Sequence, residues 1–473
     1  MREAGILLHI SSLDGRDNIG TLSDGYEFID FLKRAGQKYW QILPINPTSY
    51  KDSPYQGVSV YAYNPYFISF DFLINMGLLK KNDLKGYKTR KKNDYGYLFD
   101  NKVKVLKKAY ANKSLVEDEY KKFLKQNKHW VNDYAAFMVL KELNDFRPWY
   151  LWSDDYKYRN SDALKKLIKD NFINYDSYRF IQYLFYSEYS YLKAYAKANK
   201  IKIIGDMPIY VAYDSVDVWV NPQMFLLNEK LEMDYVAGCP PDDFSSYGQL
   251  WGNPLYDWEY MKKHDYDFWV KRIKHSQKLF DVIRIDHFRG FAGYYMIPNG
   301  KEPKDGFWHD GPRMDLFKVI KEKTKAKIIA ENLGFLTEDV YKLLEDTGYP
   351  GMHVTQFEFG SDLAFKDDFK KNNVIYTSTH DNQTIRSFYL NSDKKLIKSL
   401  VHISRKPYLD LIYATLKKSP SLAIIPFSDY IGSLERMNEP STSDGNWVYR
   451  IKKNELNDDL AKTIYKLTKE SKR

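Results

Sequence analysis

The segment DVIRIDHFRG, residues 281–290, decides the fold. Its first half is a β-branched apolar run that stops abruptly at a carboxylate, Asp286, and a glycine follows four residues later, which is how a buried strand ending in a loop reads. Seven further runs share that form: GILLHIS at 5–11, YWQILPI at 39–45, IKIIGD at 201–206, AKIIAE at 326–331, HVTQFEF at 353–359, VIYTSTHD at 374–381 and LAIIPFSD at 422–429. Most are followed by a helical pattern. After the first, Phe28, Phe31, Leu32 and Ala35 recur at helical spacing, with Ser23 placed to cap the start and Gly36 the end. After AKIIAE, Thr337 precedes Val340, Leu343 and Leu344, and Gly348 closes the helix. Strand and helix in eightfold alternation predict an α/β fold with a parallel sheet closed on itself, and chemistry at the C-terminal ends of the strands.

The spacing breaks once. About 155 residues separate the second and third runs, where a strand–helix–strand unit needs roughly 30. An insertion over 46–200 fills the gap, and segments such as WVNDYAAFMVLKEL at 130–143 make it largely helical. A second irregular stretch carries AGCPPDDF and GQLWGNP, whose prolines and glycines mark loops. It is read as a loop-rich insertion over 207–260, lying across the active face of a single catalytic barrel that spans 1–473.

Composition narrows the function. With 44% hydrophobic residues the chain has material for a large core, and no apolar run reaches the length of a membrane span. Cys239 is the only cysteine, so no internal disulfide or thiolate cluster forms, which fits a cytoplasmic protein. The net charge of +10 sits in one place, residues 76–130, with 16 Lys and Arg against 6 Asp and Glu. There the lysines alternate with apolar residues, as in KVKVLKKAY, the pattern of a solvated helix surface. No base-reading motif accompanies them, so no nucleic-acid partner and no membrane is expected. The chain has no HExxH pair, P-loop or GxGxxG after a strand, so neither a metal nor a cofactor is expected.

Three runs end on a carboxylate at the expected active face: Asp286, Glu331 and Asp381. One acid at a strand end is more often a helix cap or an ion-pair partner. Three from separate units, converging on one rim, are harder to explain that way. Arg284 lies two residues before Asp286, on the same strand face, and should keep Asp286 ionised. An ionised carboxylate facing a protonatable one is what cleavage of a glycosidic bond requires.

These motifs resemble the 4-alpha-glucanotransferases, also called amylomaltases or disproportionating enzymes, of the α-amylase clan. GILLHISSL, DSPYQGVSVYAYNP, GDMPIYVAYDSVDVW, AGCPPDDFSSYGQLWGNPLYDW, VIRIDHFRGF, AENLG, STHDNQT, RMNEP and NWVYR carry the likeness over nearly the whole chain. It implies a (β/α)8 TIM barrel with helical insertions between barrel strands, and a retaining double displacement through a covalent glycosyl-enzyme. Asp286 would be the nucleophile, Glu331 the general acid/base and Asp381 the stabiliser of a distorted sugar. Arg284, His380 and Asp206 would contact the reacting glucose or the carboxylates. Ser53, Tyr55 and Gln56 would line the cleft, and the loop with Phe244 would arch over bound glucan. The substrates implied are malto-oligosaccharides and α-1,4-glucans, with glucose or a short maltodextrin as acceptor. The chain departs from the family pattern at Asp14, Cys239, Ser428 and Ser441, outside the carboxylate triple.

Among the aromatics, Trp40, Phe70 and Tyr134 sit in apolar patterns and read as core. Tyr55, Phe244 and Trp251 lie in polar stretches rich in Gly and Pro, where a ring is better explained by stacking on a sugar. His287 should point away from Asp286 if the strand continues. A hydrolase acting through the same carboxylates, and a glucan-binding relative without catalysis, are the competing readings; intact acid motifs weigh against the second.

Overall fold

The computed structural model describes residues 2–241, 247–334, 336–359, 370–440, 442 and 444–473. Eight parallel strands form the barrel: β1 Glu3–Leu7, β2 Tyr39–Gln41, β3 Lys202–Met207, β4 Val282–Ile285, β5 Ile328–Ala330, β6 Met352–Val354, β7 Val374–Tyr376 and β8 Leu422–Pro426. They pair in chain order, with β8 returning to β1. Between β5 and β6 the ring closes through a single parallel bridge, Ala330 to Gly351, and the bond from Ala330 N–H to the Pro350 carbonyl at 2.9 Å.

The runs are continuously apolar because each strand is buried on both faces. Inward, Tyr39, Ile204, Ile329, Val354, Tyr376 and Ile424 form one cluster. Outward, Ile6, Trp40, Ile203, Ile283, Ile375 and Ile425 pack under the helices. At Gly205 in β3 a side chain has no room, because its Cβ would stand 2.2 Å from the Phe280 ring. Trp40, Phe70 and Tyr134 are buried as expected.

The strands are shorter than the runs that announce them. HVTQFEF leaves the sheet after Val354 and turns into a 3-10 helix, Thr355–Glu358, and after Pro426 the chain enters the short helix Phe427–Tyr430. The first barrel helix is Gly25–Arg34, and Ser23 does not cap it: its hydroxyl donates to Glu188, while Asp24, at the cap position, accepts from Thr21 instead. Gly36 and Gly348 end their helices with left-handed backbone, φ 70° and 63°.

Between β2 and β3 the chain builds helices Phe70–Asn75, Tyr95–Lys108, Glu117–Asn127, Val131–Leu143, Ser161–Asp170 and Phe172–Ala198. The last is 27 residues without a Gly or Pro, and it buries Tyr178, Phe185, Tyr189, Leu192 and Ala196 along a stripe. One lysine of KVKVLKKAY is not on a solvated surface. Lys102 is fully buried, paired with Asp17 at 3.3 Å and set over the Phe70 ring, whereas Lys104 and Lys108 are exposed. A long charged side chain is buried only with a partner, and Asp17 supplies it.

GQLWGNP is a strand, not a loop. Gln249–Pro254 pairs with Tyr235–Cys239, which pairs with Gly293–Pro298 and then Phe307–Asp310, in a four-stranded antiparallel sheet beside the barrel mouth. Gly252, with φ 72°, is accommodated there by the irregular pairing between Val236 and Gly238. Among the described residues no helix is long and apolar enough to cross a membrane.

Candidate active site

At the C-terminal ends of the strands lies a cleft of about 810 Å³ lined by Asp286, Glu331 and Asp381 together. Each carboxylate lies beyond the C-terminal end of its strand. Asp286 comes one residue after β4, its amide donating to the carbonyl of Met207, the last residue of β3, at 2.9 Å. Glu331 comes one residue after β5, and Asp381 five residues after β7.

Asp286 is paired with Arg284 at 3.0 Å, as the spacing predicts. That pair does not keep its carboxyl in the ordinary range: burial pushes Asp286 up to about 7, against the pull of Arg284. About 27% of the side chain faces the open cleft, so water shares the charge until a ligand covers it. Burial also raises Glu331, opposed by Arg284 and by backbone amides on its oxygens: Leu333 N–H at 2.5 Å and His287 N–H at 2.7 Å. Asp381 differs. Burial works upward there too, but His380 at 3.2 Å and the Asn438 amide at 2.7 Å hold it down at about 2. Asp381 in turn raises His380, whose own burial acts the other way.

Ser53, Tyr55, Gln56, Trp251 and Arg284 line the cleft. Gln56 and Asn253 exchange amide hydrogen bonds at 3.1 and 3.2 Å, tying the segment after β2 to the strand that carries Trp251. Asp206 does not reach the cleft. Its side chain is fully buried beneath it, accepting from Arg284 at 2.7 Å on each oxygen and from the Tyr55 hydroxyl at 2.8 Å. Asp206 thus holds Arg284 and Tyr55 from beneath the cleft lining. His380 is likewise nearly enclosed, its ring stacked on Tyr55 at 5.2 Å. Phe244 lies outside the described residues.

His287 corrects a geometric expectation. The strand ends at Ile285, and His287 takes left-handed backbone, φ 51°, which swings its ring into the cleft against Trp251 at 4.7 Å. Burial lowers its pKa to about 3, so the ring is neutral.

Reasoning from residues gave no role to Asn438, Arg436 or Trp447. Asn438 bonds Asp381, Arg436 donates to the Asp381 carbonyl at 2.7 Å, and Trp447 packs against Tyr55 and His380. The only signals for them were the RMNEP and NWVYR motifs, more than fifty residues beyond the acid they serve. Of the departures from the family pattern, Cys239 lines the cleft and Asp14 pairs with Arg450 at 3.5 Å. Ser428 lines a small pocket beside His380, and Ser441 lies outside the described residues.

A family model described as 4-alpha-glucanotransferase matches residues 8–456. The 4-alpha-glucanotransferase of Clostridium butyricum is 45% identical over 98% of this chain and 99% of that one. One from Streptococcus pneumoniae is 40% identical over 99% and 96% respectively. Among solved structures, the amylomaltase from Streptococcus agalactiae in complex with acarbose superposes with a TM-score of 0.96, at 35% identity, covering 100% of both chains.

Proposed function

Since this chain belongs to the 4-alpha-glucanotransferase family and is an enzyme of that type, we propose that it moves α-1,4-glucan segments by a retaining double displacement in which Asp286 attacks, Glu331 transfers the proton and Asp381 supports the distorted sugar. One observation carries this reading: three carboxylates at the ends of β4, β5 and β7 share a cleft, and only Asp286 contacts a buried guanidinium. The 3.0 Å contact with Arg284 favours the ionised form of Asp286, while burial raises the carboxyl of Glu331, the member that must hold a proton in the first step. A carboxylate beside a protonated acid is the starting state of the first half-reaction.

In that step Asp286 Oδ forms a bond to the anomeric carbon while the glycosidic bond breaks and Glu331 gives its proton to the departing oxygen. In the second, Glu331 takes a proton from an acceptor hydroxyl, which displaces Asp286 and restores the α configuration. Asp381, held ionised by His380 and Asn438, is suited to accept from sugar hydroxyls. Trp251 and Tyr55 offer ring faces and edges for sugar contact. The acceptor is glucose or a short maltodextrin, and the compartment is the cytoplasm. The hydrolase alternative is not favoured, because the relatives are transferases.

The test is trapping with an activated glucosyl donor followed by denaturation. Asp286→Asn yields no covalent adduct. Glu331→Gln accumulates one, because a good leaving group needs no proton, and a small external anion restores turnover. An adduct on the Asn variant removes Asp286 from the nucleophile's role.

A further inference from the structure

Glu331 is held from two sides by the backbone. Its Oε1 accepts from the Leu333 N–H and its Oε2 from the His287 N–H, while its carbonyl accepts from Phe288 N–H at 2.8 Å. The His287 amide reaches that position because His287 adopts φ 51° and ψ 50°, a conformation costly for a residue with a Cβ. The turn is braced: the His287 ring stands edge-on to Trp251, its carbonyl accepts from Gly290 N–H at 3.0 Å, and a Cβ on Gly290 would sit 3.1 Å from the ring. No substrate contact is needed to explain such bracing, but the delivery of one amide to one carboxylate oxygen explains it.

We propose that His287 is a positioning residue for the acid/base: its left-handed backbone aims an amide at Glu331 Oε2, and this donor, opposite that of Leu333, sets how readily Glu331 gives up its proton and returns to the carboxylate the second half-reaction needs. Other groups face Glu331 as well: Arg284 and Asp286 from β4, buried Asp206 from β3, and Tyr376 and Asp381 from β7 and the segment after it. Asp286 is joined directly to His287, but its own amide on the Met207 carbonyl and its carboxylate on Arg284 hold it in place, and Arg284, Asp206 and Asp381 are held by bonds that do not involve the turn. A hydrogen bond to the charged form favours that form, so its loss raises the pKa of Glu331. Glu331 must be protonated to act as acid, so the alkaline limb of kcat/KM then moves to higher pH.

The inference rests on the assignment of Glu331 as acid/base, and the experiment separates the two. The pH profile of kcat/KM is measured for the native enzyme, His287→Asn, His287→Gly, His287→Thr and His287→Val, with maltotriose and with an activated glucosyl donor. Asn and Gly accept left-handed backbone and keep the native limb; Thr and Val, both β-branched, resist it and shift the limb upward by about half a pH unit or more on maltotriose. The activated donor, needing no protonation, shows no shift. If Val does not fold, Thr decides. A limb unmoved in Thr and Val, with rates lowered equally at all pH, overturns the role of His287. A native alkaline limb that persists in Glu331→Gln overturns the assignment of Glu331 instead.

Discussion

Asn438 donates its side-chain amide to Asp381 Oδ1 at 2.7 Å, and through that bond a segment 57 residues further along the chain orients the third carboxylate of the cleft. Arg436 reinforces it from the same segment by binding the Asp381 carbonyl. A hydrogen bond to a charged group contributes about 1.5–3 kcal/mol. Asn438→Ala should therefore lower kcat/KM for maltotriose disproportionation by roughly 10- to 100-fold, with the melting temperature little changed because Asn438 sits at the cleft edge. Steady-state kinetics beside a thermal melt checks both halves.

The acid side of the pH profile belongs to Asp286. It must be ionised to attack, and burial raises its carboxyl to about 7, so kcat/KM should fall as pH drops through about 7. Asp381, held at about 2, stays ionised throughout and adds no limb. A profile flat down to pH 5 would show that water in the open cleft cancels the effect of burial.

Asp206→Ala strips Arg284 of two of its bonds and leaves a guanidinium buried with Asp286 alone. Breaking a buried ion pair from one side costs about 3–5 kcal/mol. The variant should lose that much in urea unfolding as well as most of its activity. Tyr55→Phe removes only the hydroxyl's bond to Asp206 and should cost about 1 kcal/mol.

The barrel was legible because β-branched runs buried on both faces are unlike anything else in the chain, and the three acids because each directly follows such a run. Strand ends were not: Thr355 and Phe427 continue the apolar pattern but leave the sheet, since only neighbouring strands decide where pairing stops. GQLWGNP failed for a related reason. Its Gly and Pro read as loop, yet a bulged antiparallel edge tolerates both. Asp206 could be placed at a strand end but not beneath the cleft, because whether an acid faces sugar or guanidinium depends on Arg284 reaching across from β4. Asn438 and Trp447 arrive from the chain's far end, a distance no local pattern encodes.

Buried neutral histidines make the fold acid-sensitive. His275 lies buried between Tyr63, Tyr61 and Trp130, and burial lowers its pKa to about 3. The unfolded chain takes up that proton near pH 6.5, so stability is lost progressively as pH falls from about 6.5 toward 3. His275→Phe keeps the ring packing and removes the titration. Between pH 7 and pH 5 it should lose about 2 kcal/mol less than the native protein in urea unfolding. Equal losses in both proteins would place the acid sensitivity elsewhere.

Transfer rather than hydrolysis requires that a sugar hydroxyl reach the glycosyl-enzyme before water does. Gln56 and Asn253 bear on this, because their reciprocal amide bonds fasten the segment after β2 to the strand carrying Trp251, and both residues line the cleft. Asn253 also donates to the Val211 carbonyl at 2.7 Å, so it anchors that strand to the barrel by a second bond. With the clamp intact, maltotriose should give glucose and longer chains with little rise in total reducing ends, since each bond broken is remade. Gln56→Ala frees one side of the clamp and should raise the yield of reducing ends per maltotriose consumed several-fold. Asn253→Ala frees both and should raise it further, and the double variant should add little to Asn253→Ala because the pair acts as a unit. A reducing-sugar assay run beside product chromatography reads both quantities. If reducing ends stay at the native level in all three variants, the clamp does not keep water out, and exclusion must come from groups nearer Asp286.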